Sequence, residues 1–161
     1  MATTQRTQAT NAAEMLRKDH LKVKALFREY EELGDRAHKS KQRLAEQIFA
    51  ELEIHTRLEE EVFYPAAREA DEEELGEVVA EGFEEHHVAD VLIAEIRALQ
   101  PDDERFDAKM KVLSENIEHH IEEEETEMLP GAERALRGEA MDSVTSRMEA
   151  MKTRLTNEGA K

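Results

Sequence analysis

The sequence has no cysteine and no tryptophan, only two tyrosines and five phenylalanines, and just three prolines and six glycines. Without cysteine there is no disulfide, no thiolate nucleophile and no cysteine-ligated zinc or iron–sulfur site. Cationic residues are also in short supply. Twenty-two Lys and Arg stand against 39 Asp and Glu, a formal charge of −17 on 161 residues, with a pI near 4.8. Nucleic-acid binding draws its affinity from cationic side chains that displace counterions, so this surface is expected to have no nucleic-acid partner. An anionic membrane surface is disfavoured for the same reason. Long apolar runs are missing as well. The longest is Val91-Leu92-Ile93-Ala94, against the roughly 20 residues that span a bilayer. Residues 1–20 lack the apolar core of a secretory signal, which points to a cytoplasmic protein.

What is present is helix-forming: Ala, Leu, Glu, Lys and Arg in apolar patterns of period 3.6, with no alternating stretch long enough for a strand. After a polar tail expected to be disordered over residues 1–10, helix 1 begins at Asn11. Asn11 can cap it while Glu14 reaches back, and Leu16, Val23, Phe27 and Tyr30 lead to a stop at Gly34. Ser40 can cap helix 2, which carries Leu44, Ile48, Leu52, Val62 and Phe63 toward Pro65. Asp71 can cap helix 3, with Leu75, Val79, Phe83, Ala89, Ile93 and Ile96 on its apolar side. Pro101-Asp102-Asp103 breaks the chain before helix 4, which uses Phe106, Met110, Leu113, Ile117 and Met128 and ends at Pro130-Gly131. The expected fold is all-α: an antiparallel up-down-up-down four-helix bundle over residues 11–137, followed by a short C-terminal amphipathic helix and tail over 138–161. In that last segment Met141, Val144, Met148, Met151 and Leu155 form an apolar seam, which packs on the bundle or on a twin subunit in a homodimer.

Seven histidines are present. At about 100° per residue, His55 and Glu59 fall on the apolar stripe of helix 2, His86 on that of helix 3 and Glu124 on that of helix 4. His20 and His120 lie at the edges of their stripes. His87 turns to the rim, His119 points about 100° further out, and His38 falls in the loop between helices 1 and 2. The pattern repeats. His55-x-x-x-Glu59 leads to Pro65 and His120-x-x-x-Glu124 to Pro130, ten residues on in each case; His20 precedes His55 by 35 residues and His86 precedes His120 by 34. The chain reads as two helix pairs, each giving one lone histidine and one His-x-x-x-Glu.

Folded as a bundle, these pairs bring four histidines and two glutamates into one interior. An unpaired buried carboxylate costs several kcal/mol and an unsatisfied imidazole roughly 1–3. A pair of metal ions removes that cost, with Glu59 and Glu124 bridging and two histidines on each ion. Open positions remain for water, an oxo or hydroxo bridge, or a small molecule. The nitrogen-rich, sulfur-free donor set points to iron first and to manganese or zinc second. The neighbouring acids Glu60, Glu61, Glu122, Glu123, Glu125 and Glu127 read as a solvated face.

Over residues 14–137 the sequence resembles the hemerythrin-like family, in its HHE cation-binding branch. The segments that carry the resemblance are Lys18-Asp19-His20, His55 through Pro65, Glu85-His86-His87 and His119 through Glu125. It implies a four-helix bundle around a non-haem centre of two iron ions, cycling between Fe2+ and Fe3+, with His20, His55, Glu59, His86, His120 and Glu124 as ligands. Oxygen-carrying members place a second histidine one turn after the helix 3 ligand. Here that position is Asp90, about 40° from His86 on the wheel, which could ligate, orient a ligand imidazole or form a salt bridge. Tyr64 could donate to a bound oxygen species or serve as a core-edge tyrosine. The resemblance implies a protein that engages dioxygen, peroxide or nitric oxide in sensing, oxidant protection or iron handling. Two alternatives stand beside it: a di-iron enzyme that disproportionates peroxide, as a catalase does, and a metal-independent helical interaction module. The Glu-x-x-His pattern of ferritin-type oxidases occurs only at Glu84–His87, which argues against that activity.

Overall fold

The computed structural model describes residues 10–159. Of the tail expected to be disordered, residues 1–9 lie outside the described part. The described chain is helical with no strand among its residues. Five rods are built from α1 (Ala12–Glu32), α2 (His38–Leu58), α3 (Tyr64–Ala70), α4 (Glu72–Arg97), α5 (Glu104–Glu123), α6 (Leu129–Ala135) and α7 (Glu139–Gly159). Short π-helical segments, Glu59–Phe63 and Glu124–Met128, join α2 to α3 and α5 to α6, so each pair runs on as one rod.

Several start signals act as the residues suggest. The Asn11 side chain accepts the Glu14 backbone N–H at 2.9 Å and Asp71 accepts that of Glu74 at 3.1 Å, each satisfying an otherwise free donor of the first turn. Glu14 itself pairs with Arg17 rather than closing a capping box. The second helix starts at His38, two residues before Ser40, and no side chain caps it. His38 therefore opens a helix and does not sit in a loop.

The two prolines expected to end helices do not. Pro65 and Pro130 each sit in the first turn of a helix that continues the rod. Proline breaks an α-helix because it lacks an N–H and crowds the carbonyl four residues back. Here the wide turn comes first: the N–H of Tyr64 reaches back to the Glu59 carbonyl, and that of Leu129 to the Glu124 carbonyl. The ladder has already slipped by one residue where each proline arrives.

The core consists of two apolar clusters. One gathers Val23, Phe27, Ile48, Phe49, Leu52, Ile93, Ile96, Phe106, Leu113 and Ile117. The other gathers Leu16, Leu58, Phe63, Leu75, Val79, Met128, Leu129 and the α7 seam of Met141, Val144, Met148, Met151 and Leu155. The C-terminal helix is not short: at 21 residues it equals α1. Its seam is buried against the chain's own bundle, where α7 packs on α1 and α2. Of the two placements expected for the seam, the bundle is the one the structure shows. No helix among the described residues is long and apolar enough to cross a membrane.

Candidate metal centre

The six residues gathered by helical spacing converge. His20 on α1, His55 on α2, Glu59 and Glu124 on the two π segments, His86 on α4 and His120 on α5 are all buried, each no more than 6% exposed. They form a polar layer between the two apolar clusters. The layer has an approximate two-fold relation. The His20 and His55 rings lie 5.0 Å apart at 63°, and the His86 and His120 rings 4.7 Å apart at 62°.

Two overlapping groups of donor atoms result, one of His20, His55, Glu59 and Glu124, the other of Glu59, His86 and His120. Both glutamates face histidines of both halves. Glu59 Oε1 touches His55 Nε2 and lies 3.8 Å from His86 Nε2; Glu124 Oε1 lies 2.9 Å from His120 Nε2 and 3.3 Å from His20 Nε2. Yet His20 Nε2, His55 Nε2, both Glu59 oxygens and Glu124 Oε1 are buried without a hydrogen bond. They are close without pointing at one another, as donors around a common ion are.

The outer nitrogen of every one of these histidines meets a carboxylate. His55 Nδ1 is 3.2 Å from Asp19, His20 Nδ1 3.1 Å from Glu125, His86 Nδ1 3.4 Å from Glu60 and His120 Nδ1 3.0 Å from Glu85. A carboxylate on Nδ1 holds the proton there and leaves Nε2 free as a donor to metal. Glu60 and Glu125 therefore correct the reading of those acids as a solvated face. The signal was in the sequence: an acid directly precedes His20 and His86, and an acid directly follows Glu59 and Glu124.

Tyr64 is fully buried at this layer. Its hydroxyl lies 3.3 Å from His86 Nε2, 3.4 Å from His120 Nε2 and 3.2 Å from Glu124 Oε2, and the two nitrogens are 3.1 Å apart. Three donors spaced in this way each sit about 2 Å from a common point, the length of a metal–nitrogen or metal–oxygen bond. A regular helix would turn Tyr64 about 180° from His55; the π segment between them brings it back to the core. Asp90 goes the other way. It is exposed, and its charged neighbours are Glu53, His87 and Glu60. The buried face of α4 runs through Gly82, His86, Ala89 and Ile93, and this drift leaves Asp90 at the rim. Phe83, expected in the core, is half-exposed beside it, with Gly82 facing inward instead.

Protons in the metal-free layer are shared unequally. Burial and the neighbouring Glu124 raise Glu59 to about 7. Burial and the charge of His120 push His86 down to about 3. Burial lowers the affinity of His120 for its proton, but Glu124 and Glu85 outweigh it and bring the value up to about 10. Burial raises Glu124, and the His120 cation overrides it and holds Glu124 well below the usual carboxylate range.

Residues 11–132 match the hemerythrin HHE cation binding domain. The chain belongs to that family. A hemerythrin HHE cation binding domain-containing protein from Mycobacterium kansasii shares the fold, with a TM-score of 0.78 at 21% identity over 92% of this chain and 88% of that one. A DNA nickase from Nostoc sp. (strain PCC 7120 / SAG 25.82 / UTEX 2576) is 27% identical over 155 residues. That match takes in 92% of this chain and 41% of the Nostoc protein, so this chain spans less than half the length of that relative. Cation binding is thus the family property, and the buried His/Glu groups supply donors of the right kind for it.

Proposed function

We propose that this HHE domain protein holds two iron ions per chain and engages a small ligand, dioxygen, peroxide or nitric oxide, in sensing, oxidant protection or iron handling. The observation that carries the reading is the set of orphaned buried atoms at His20, His55, Glu59 and Glu124. Each side of the layer has two imidazoles, both carboxylates can span the two sides, and sulfur is absent. That donor set suits iron, with manganese or zinc as the next choices.

One ion would rest on His20 and His55, the other on His86 and His120, with Glu59 and Glu124 shared and Tyr64 on the second side. Bound iron supplies reversible electron transfer and coordination positions open to a small ligand. The protein's residues do the rest. Four carboxylates fix the imidazole orientations, the apolar clusters above and below limit water, and the Tyr64 hydroxyl donates to Glu124. Burial and the two glutamates raise Tyr64 well above its ordinary value, so it remains a phenol in the metal-free layer. Nucleic acid has no place in this reading, since the net charge of −17 opposes it.

The test is iron per chain and the visible spectrum of the same iron-loaded sample, followed by azide, peroxide and nitric oxide titrations. Two irons per chain with charge-transfer absorption that shifts on titration is the expected result. No bound metal, or a single ion removed by a mild chelator, overturns it in favour of the interaction module. Oxygen evolution from peroxide well above that of free iron would select the enzymatic alternative.

A further inference from the structure

The two-fold relation of the layer breaks at one of its four outer carboxylates. Asp19 and Glu85 are equivalent: each directly precedes a buried histidine, and each meets Nδ1 of the histidine on the following helix, at 3.2 Å and 3.0 Å. Their second oxygens differ. Asp19 Oδ1 accepts from the Lys152 ammonium at 2.5 Å, whereas Glu85 Oε2 lies 3.9 Å from the exposed ring of His119, in a group that also includes Glu123. Among the described residues neither Glu60, Glu85 nor Glu125 pairs with a lysine or arginine. Lys152 lies on α7, beyond the residues that match the family. The helix that delivers it is fixed by its buried seam and by the Ala12 N–H, which donates to Thr145 Oγ1 at 2.9 Å.

A carboxylate that accepts from Nδ1 pushes electron density toward Nε2 and favours the more highly charged metal ion. A cation on the same carboxylate opposes that push, and the Asp19 side chain is only 8% exposed, so water shields that carboxylate little although Lys152 itself is partly exposed. We propose that Lys152 is a positioning residue: it holds Asp19 against His55 and withdraws charge from it, so that the ion at His20 and His55 is the more readily reduced of the two. This rests on the metal-pair reading above. The two positions, alike in their histidines and glutamates, thus differ in their outer carboxylates, because only one of them is tied to α7, as well as in Tyr64.

The test compares the full iron-loaded chain with Lys152→Met, Lys152→Gln and Lys152→Arg. Iron per chain and thermal melts establish loading and folding, and anaerobic dithionite titrations are followed by absorbance and electron paramagnetic resonance. The Lys152 side chain is partly exposed and is not part of the buried seam, so its replacement leaves the seam in place, and the glutamine variant serves if methionine alters packing. In the wild type, reduction is expected in two separable steps with a populated half-reduced form. In the Met and Gln variants the first step moves to lower potential and the half-reduced population falls at least threefold, while Lys152→Arg keeps both. Two irons and identical titrations in all four proteins overturn the role of Lys152 and leave the metal pair standing. Fewer than two irons in the wild type overturns the metal-pair reading, and this one with it.

Discussion

Gly82 and Tyr64 are a matched pair: a Cβ built on Gly82 would stand 2.8 Å from the Tyr64 hydroxyl and 3.0 Å from its Cζ. The positions related to them by the duplication are Leu16 and Leu129 respectively, both fully buried in one apolar cluster. One side of the layer is closed by two leucines. On the other a glycine makes room for a phenol, whose ring lies 5.3 Å from that of Phe83 and stacks on His86.

Gly82→Ala should therefore act through Tyr64. Overpacking of this kind costs about 1–3 kcal/mol, and here part of it comes from the hydroxyl oxygen. Combined with Tyr64→Phe, the loss should be smaller than the sum of the two single losses, which thermal or urea unfolding of the four proteins measures. Strict additivity would show that the alanine is accommodated elsewhere.

Tyr64→Phe alone keeps the ring contacts and removes the oxygen beside His86, His120 and Glu124. Metal affinity on that side should fall about 10–100-fold, the range seen when groups supporting a site are removed. Competition with a chelator of known affinity gives the number, and the ion at His20 and His55 should be affected less.

Glu59→Gln should have opposite effects with and without metal. In the metal-free protein both Glu59 oxygens are buried without a hydrogen bond, and burial and Glu124 oppose the charge. Removing its charge should raise the metal-free melting temperature by several degrees at neutral pH, for a gain of about 1–3 kcal/mol that disappears below the ordinary glutamate range. The same change removes a shared donor, so the loaded protein should hold fewer than two ions.

Loading should release protons. His120 keeps its proton up to about 10 and Glu59 to about 7 in the metal-free layer, and a metal ion takes the place of both. Affinity therefore rises with pH between 6 and 8, by about tenfold per pH unit for each proton displaced. Calorimetry of metal uptake in buffers of different ionisation enthalpy counts them; zero would show that the ligands are deprotonated beforehand.

Much of the layer was legible in the sequence because helical period is a local property. His20, His55, Glu59, His86, His120 and Glu124 are gathered by counting residues along α-helices, and their duplicated spacing shows which of seven histidines belong together. Tyr64 was harder to place, because the π segment before it shifts the count by one residue and the wheel then points the wrong way. The outer carboxylates were misread for a different reason. Glu60 and Glu125 lie about 100° from the inward glutamates, a direction that reaches water on an isolated helix. In the bundle the flank of one rod meets the next, and each finds a histidine there. Asp90 shows the reverse error: near His86 on the wheel, it is turned out by the drift of the buried face.

The cross-pairing of those outer acids has a consequence for assembly. Asp19 and Glu85 serve histidines of their own half, but Glu60 serves His86 and Glu125 serves His20, across the two-fold relation. A lone helical hairpin carrying one such set could not orient all of its own ligands. Two copies, docked face to face, could complete every imidazole of both. The present chain is in effect that pair joined end to end, and the covalent link has left each copy free to diverge: Leu16 and Tyr64 in one, Gly82 and Leu129 in the other.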